Sequence, residues 1–522
     1  MNAKAIFSGA AILFVGNLLS SFLGLGREIL SAAYYGAGMQ MDAYLFANTL
    51  PSIVLSFFGG ILMGGFIPLF IKKRVENEEE ASAMFSNAMN WVIVIVLALT
   101  AVFYALSDPI ASLFSSDAES HRMIERLLWI LLPSILFFGL TYAQSAVLNS
   151  LNHFVVPALL TVLNNIVVIG FMVFFHKSMG IDSVALGFVV GTVLQVIVQW
   201  PMMRKKGIRY RLRMTWKDEQ LKRLVFMSFP IIGLVLIDQC IVFSTRFFAS
   251  YLEEGSISAI NYANRFIMLP VTLFGTALIS ATYPTVVTLI AENKKKEYNE
   301  IVSTTVKSLL LMLLPVAVTC MVFAPNIIRL LLERGAFDKQ ATEMTSSAFL
   351  VLAIGIFIIP IREFFIKLFF GKEKMRTPIY TSLIYMSSFI VGCFLLIPSL
   401  HYMGIAIATA IGMVCSLTFL IVRYLRMDGG NRIGVPVVYI AKVAASAGLA
   451  AGIARLLYES VSTQIPGQWE APLSVLAICC SVLMYLVFIR WFGIREIHLV
   501  IGKITARFSV RKSRTNAAVG EG

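Results

Sequence analysis

Runs of about twenty apolar residues recur along the whole length of this chain, separated by short polar segments. Inside a bilayer the backbone must satisfy its own hydrogen bonds, which only helices or closed barrels achieve, and a crossing helix needs about 20 mostly apolar residues. By that ruler about fourteen spans begin near residues 5, 42, 86, 122, 155, 181, 222, 257, 300, 340, 376, 401, 437 and 471. Composition agrees: 58% of residues are hydrophobic and 14% charged, against about 45–50% and 25% in soluble domains. The expected fold class is an all-α membrane protein.

A formal net charge of +14 would suggest nucleic acid in a soluble protein. Here the basic residues lie between apolar runs, so membrane lipid is the expected partner and nucleic acid is not. Lys72 to Arg74, Arg204 to Arg213, Lys294 to Lys296, and Lys372, Lys374 and Arg376 follow even-numbered spans, while Glu253 and Glu254 follow span seven. The positive-inside bias then places both termini in the cytoplasm of a multi-pass cytoplasmic-membrane protein. The first apolar run reaches residue 33 without a small-residue cleavage site and reads as a retained span. Six cysteines lie inside apolar runs without metal-ligand spacing and read as small core residues.

An internal repeat divides the chain. Ala43, Ala47, Asn48, Phe58, Gly59, Leu62 and Pro68 return 216 residues later as Ala259, Ala263, Asn264, Phe274, Gly275, Leu278 and Pro284. Arg27, Ser31 and Gly36 are echoed by Arg246, Ser250 and Gly255, and Met179-Gly180-Ile181 by Met403-Gly404-Ile405. Six spans per repeat is an even number, so both halves have one orientation, related by an axis along the membrane normal. The expected organisation is an N-lobe (1–203, spans one to six), a basic linker (204–221), a C-lobe (222–426, spans seven to twelve), two extra spans (427–492) and a basic tail (493–522). The linker reads as a cytoplasmic loop near anionic headgroups, with a regulatory or docking role as the sharper alternative; the tail reads as an interfacial helix followed by disorder.

No catalytic constellation appears, and no metal site is expected. The five histidines are scattered, HExxH is absent, and there is no GxxxxGK[ST] phosphate loop. Gly187 and Gly191 form a GxxxG that reads as a close helix contact. What remains are charges at membrane depth, each costing ~2.5–3.5 kcal/mol at the bilayer centre unless it meets water or a partner. They are Arg27, Glu28, Asp42, Asp238, Arg246, Arg265, Arg362, Glu363 and Lys367. Any one pair reads plainly as a structural bridge. As a set, arginines that recur across the repeat describe a cationic cavity between two lobes, and guanidinium grips phosphate oxygens with paired hydrogen bonds. Spans two and eight carry Pro near both ends and small residues between, which allows either packing kinks or gating hinges.

These residues resemble the MurJ (MviN) lipid II flippases of the multidrug/oligosaccharidyl-lipid/polysaccharide exporter superfamily. The resemblance rests on LGLGREILSAAYYGAGMQMDAY with the later GGFIPLF, on FFASYLEEGSISAINYANRFIMLPVTLFGTAL and on GKEKMRTPIY. It implies a fourteen-helix, two-lobed carrier that turns lipid-linked peptidoglycan precursor from inner to outer leaflet. It also implies that Arg27, Asp42 and Arg265 lie in the central cavity and are needed for function. Two family arginines are missing, at Ser21 and within Ser52 to Phe58. A family sodium site maps onto Asp238, with Ser387 and Ser388 in span eleven where other members have amide or acidic groups.

The expectation is alternating access. Arg27 and Arg265, joined by Arg246, bind the diphosphate of an undecaprenyl-linked sugar, and Asp42 and Glu28 serve gating, Asp42 by pairing with an arginine in one state. No cofactor is expected. The drive is membrane potential or a monovalent cation, a monomer is adequate, and cell-wall synthesis proteins are candidate partners. The rivals are a flippase for another polyprenyl-linked oligosaccharide, a multidrug cation antiporter and a membrane enzyme. The first differs only in sugar contacts; the second calls for an acidic cavity, and the third for a catalytic cluster.

Overall fold

The computed structural model describes residues 3–115, 117–212, 214–215, 219–427, 433–464, 466 and 469–494. Among the described residues all regular elements are helical. They run α1 (Ala3–Tyr35), α2 (Met39–Ala47), α3 (Thr49–Ile61), α4 (Ile67–Glu76), α5 (Glu78–Ala105), α6 (Ser107–Phe114), α7 (Ala118–Leu131), α8 (Ser134–Ser150), α9 (Val155–Met179), α10 (Asp182–Lys205) and α11 (Glu219–Ser250). There follow α12 (Ser256–Pro270), α13 (Ala277–Ala291), α14 (Lys295–Val322), α15 (Ala324–Leu332), α16 (Lys339–Leu352), α17 (Gly355–Gly371), α18 (Arg376–Leu400), α19 (Tyr402–Leu425), α20 (Val437–Ser462) and α21 (Glu470–Trp491).

Eleven helical stretches among the described residues are long and apolar enough to cross a membrane, or twelve if α16 and α17, bent by 42°, count as one. Fourteen is therefore not the count obtained, although α1 and α11 are also long helices, of 33 and 32 residues. Several crossings are built in pieces. Met39–Ile61 joins α2 to α3, Ala118–Ser150 joins α7 to α8, and Ser256–Ala291 joins α12 to α13. The Pro- and Gly-rich spans two and eight each contain a π-helical turn, Leu62–Phe66 and Val271–Thr276, an irregularity that often marks functional positions.

The chain divides into two compact units. The first comprises Met1–Phe266, Leu331–Ala348 and Pro378–Cys415. Its core gathers Phe66 from the first π-turn, Phe70 from α4, Phe85 from α5, Leu132 just past α7 and Ile135 from α8. Helices α9 and α10 meet through the GxxxG: a Cβ on Gly187 would lie 2.8 Å from Phe171, and one on Gly191 2.6 Å from the Asn164 side chain. Here small residues let backbones approach closely, as lipid-embedded packing favours.

Part of the basic linker packs against this unit. Asn87 receives the Thr215 N–H (2.8 Å) and donates to the Thr215 carbonyl (3.0 Å). Ser86 receives the Arg211 N–H (3.0 Å), and the Tyr210 hydroxyl donates to Asn90. Buried polar residues on α5 thus satisfy linker backbone that would otherwise need water. Linker residues 213 and 216–218 lie outside the described residues, as do 428–432 and the tail from 495 onward.

The second unit comprises Ile267–Leu330, Phe349–Thr377 and Ser416–Gly522. Helix α21 binds α14 through the Tyr485 hydroxyl on the Leu311 carbonyl (2.7 Å) and a Thr319–Ser481 pair (3.0 Å), and α20 through the Tyr439 hydroxyl on the Lys307 carbonyl (3.2 Å). In this unit Gly275 has no room for a side chain, since a Cβ would lie 2.7 Å from Pro360.

Candidate functional site

Glu28 is the centre of the site. It sits on α1, one residue after Arg27 and seven before the helix end at Tyr35, and it is buried (4% exposed). Arg27 Nη2 donates to Glu28 Oε1 at 2.7 Å, and Arg265 Nε approaches the same oxygen at 3.4 Å. Arg265 lies nine residues into α12. At 1.5 Å per residue the cluster lies roughly 10–14 Å from the end of α1 and from the start of α12, a depth comparable with half of a ~30 Å hydrocarbon layer.

At that depth the Arg265 side chain is nonetheless 47% exposed. A half-exposed guanidinium there must face water or polar partners rather than acyl chains. The guanidinium lies alongside α1 at Gly24, where a Cβ would sit 3.9 Å from Arg265 Nη2, an ordinary contact distance.

Arg246, on α11, donates through Nη1 to the Leu45 carbonyl and the Thr49 hydroxyl, both neutral acceptors. Tyr44, buried on α2, lies within electrostatic reach of Arg27, Glu28, Arg246 and Arg265 together. Arg27 and Arg265 therefore share the single carboxylate of Glu28, while Arg246 is held on neutral acceptors beside Tyr44. Each close pair is worth on the order of 4 kcal/mol at an effective dielectric of ~20, against a desolvation cost of several kcal/mol per buried ion. Glu28 thus balances one arginine and leaves a positive surplus.

In this state Asp42 meets the start of α12 and not an arginine. Asp42 Oδ2 accepts the Gly255 N–H (2.8 Å), and Oδ1 accepts the Ser258 N–H (2.7 Å) and hydroxyl. A carboxylate from α2 thereby caps α12, whose first N–H groups have no partner within the helix. In return, Glu254 Oε1, just ahead of α12, accepts the Met39 N–H at the start of α2 (2.6 Å).

Around these caps, backbone touches backbone. Gly36, Gly255 and Gly335 have φ of 68°, 88° and 62°, which glycine adopts without strain. A Cβ on Gly255 would lie 2.4 Å from the Ala37 carbonyl oxygen, and one on Gly335 2.2 Å from that of Ala33. Ala336 N–H bonds the Ala33 carbonyl (2.9 Å), and the buried Tyr262 hydroxyl bonds that of Gly36 (3.1 Å). Backbone contacts thus hold this end of the first unit closely together.

Asp238 is exposed on α11 and accepts from Ser382 (3.4 Å), five residues before the expected Ser387. In the second unit Glu363 and Lys367 form an i,i+4 pair (3.1 Å), the plainer of the readings open to them. Asp108, His121 and Glu125 bring three donor atoms within 4.8 Å of one another, the one group among the described residues with metal-ligand proximity. Its His121–Asp108 contact (3.0 Å) is that of an ordinary surface pair. Sequence reasoning missed Glu254, Tyr44 and Ser258. Ser258 was findable, because it is the repeat counterpart of Asp42.

Residues 31–471 match the family model described as lipid II flippase MurJ. Among curated relatives, a probable lipid II flippase MurJ of Rhizobium meliloti is 28% identical over 91% of this chain and 91% of its own. One of Rhizobium tropici is 28% identical over 75% and 76%. The lipid II flippase MurJ of Burkholderia cenocepacia is 26% identical over 79% and 82%. Among solved structures, a lipid II flippase MurJ in an inward closed conformation matches at TM-score 0.79, 24% identity, covering 92% of this chain and 98% of that one. An inward-facing multidrug resistance MATE family transporter matches at 0.69 and 15% identity, covering 78% and 94%.

Proposed function

The chain belongs to the MurJ lipid II flippase family, and from its site we propose that the Arg27–Glu28–Arg265 cluster holds the lipid II diphosphate during alternating access. As a member it is a lipid II flippase, a multi-pass transporter of the bacterial inner membrane acting on a lipid-linked glycan. The observation that carries the reading is the surplus of guanidinium over carboxylate near mid-membrane. A diphosphate offers several anionic oxygens suited to bidentate grip by Arg27 and Arg265, with Arg246 as a third donor. Glu28 holds the arginines in place until the anion arrives.

The closely packed end gives the gate. With both termini cytoplasmic, as loop charge predicts, the α1–α2 turn faces outward and this state is closed to the outside. Outward opening then requires Asp42 and Glu254 to release each other's helices, so Asp42 gates through backbone rather than through an arginine. The two halves would rock about this junction. Moving two anionic charges outward releases ~2.3 kcal/mol per charge per 100 mV, about 5 in total, which drives the cycle without a cofactor. A monomer supplies both lobes, and delivery to cell-wall synthesis proteins is part of the same proposal. A cation antiporter would need the opposite charge balance.

Rescue of a bacterium depleted of its own lipid II flippase tests the reading. Growth and normal shape support it; lysis despite good membrane expression points to another polyprenyl-linked glycan.

A further inference from the structure

The joint between α20 and α21 carries a feature that transport does not use. A cavity of about 360 Å³ opens beside α15, with Asn326, Arg329, Arg455, Tyr458, Glu459 and Glu470 in its wall. That volume falls within the range of small-ligand sites, ~300–1,000 Å³. Trp469 and Leu473 are shared with an adjoining groove of about 350 Å³, where Pro472 and Leu476 continue an apolar wall.

The level of this site follows from its helices. Both α20 and α21 qualify as membrane spans, and the cavity takes residues from the last turns of one and the first turn of the other. It therefore sits at the membrane–water boundary, where tryptophan is favoured. A chamber that is polar on one side and greasy on the other matches a lipid headgroup with its first methylenes.

The charges narrow the class. Arg329 pairs with Glu470, and Arg455 donates to Glu459 (2.7 Å) and to Asn326 Oδ1 (2.7 Å) while its guanidinium stacks on Tyr458 at 5.6 Å. Asn326 and Tyr458 are buried, and both contact Ser474, so this wall is built rather than incidental. The four charged side chains stay 33–54% exposed. Two cations beside two anions favour a ligand carrying both signs and disfavour a purely anionic one.

We propose that this cavity binds a zwitterionic glycerophospholipid. Its phosphate lies toward Arg329 and Arg455, its ammonium toward Glu459 and Glu470, and an acyl chain follows Trp469, Pro472 and Leu476. The site is independent of the flippase reading. The phosphate chemistry is shared with polyprenyl diphosphates, which lack the adjacent ammonium and so gain nothing from the two glutamates.

The test is native mass spectrometry of the delipidated full chain with phosphatidylethanolamine, phosphatidylglycerol or undecaprenyl diphosphate. Phosphatidylethanolamine is expected to be retained about 10-fold better than phosphatidylglycerol. Arg329→Gln with Arg455→Gln lowers that retention about 10-fold. Glu459→Gln with Glu470→Gln erases the preference between the two phospholipids while phosphatidylglycerol still binds, which separates recognition from misfolding. Equal retention of both phospholipids by the unaltered chain, or retention indifferent to the arginine pair, overturns the proposal. So does undecaprenyl diphosphate occupying the site better than phosphatidylethanolamine with the same arginine dependence, because the occupant would then be the transported class of lipid.

Discussion

Asp42 and Glu254 cap each other's helices: the Asp42 carboxylate binds the first N–H groups of α12, and the Glu254 carboxylate binds the first N–H of α2. The helix starts joined in this way are repeat counterparts, although the two carboxylates are not: Asp42 corresponds to Ser258 and Glu254 to Gly38. Each carboxylate also meets the positive end of a helix dipole, which strengthens the hold.

Removing either carboxylate loosens the opposite helix, not its own. A lost N-cap costs ~1–2 kcal/mol, equivalent to a factor of roughly 5–30. Asp42→Ala should raise amide hydrogen exchange at residues 255–258 by that factor, and Glu254→Ala should do so at Met39. Unchanged exchange at both ends would remove the gate from the account.

Glu28→Gln leaves two guanidinium groups without their shared anion. Breaking a buried pair of this kind costs ~3–5 kcal/mol, so the melting midpoint in detergent should fall by several degrees. Added pyrophosphate should recover more of that loss than it adds to the unaltered protein. Equal pyrophosphate response in both proteins would deny the cluster its affinity for diphosphate.

The π-turn in span eight is held by a glycine with no space to spare. Gly275→Ala puts a methyl 2.7 Å from Pro360, an overpacking cost of ~1–3 kcal/mol. Gly170→Ala, with nothing within 4 Å of the added atom, should leave the melting midpoint unchanged or raised. Equal behaviour of the two variants would place the tight contact elsewhere.

Driving force separates potential from cation. Collapsing an inside-negative potential with an ionophore should slow translocation about tenfold or more, as expected for two charges at ~2.3 kcal/mol per 100 mV each. Exchanging sodium for choline at constant potential should change little. A sodium requirement abolished by Asp238→Asn would assign the drive to the Asp238–Ser382 contact instead.

Much of this was legible before any coordinates. Apolar run length sets a helical membrane fold because the bilayer leaves the backbone no alternative. Arg27, Glu28 and Arg265 stood out because charge at that depth is costly. The gate was legible only in part. Asp42 was visible as a charge, yet two of its partners are backbone N–H groups more than 200 residues away, which have no sequence signature, and only the Ser258 hydroxyl beside them is marked, by the repeat. Glu254 looked like an ordinary loop acid for the same reason. The span count differs at α1, α11 and the α16–α17 pair, where a 42° bend divides one apolar run into two helices, and composition does not show a bend.

The most direct measurement is lipid II appearing in the outer leaflet of cells that depend on this chain, compared among the unaltered protein, Arg27→Ala and Arg265→Ala at matched membrane levels. The account predicts that translocation is lost in each variant while the protein stays folded and inserted. Undiminished translocation in both would contradict a guanidinium-held diphosphate.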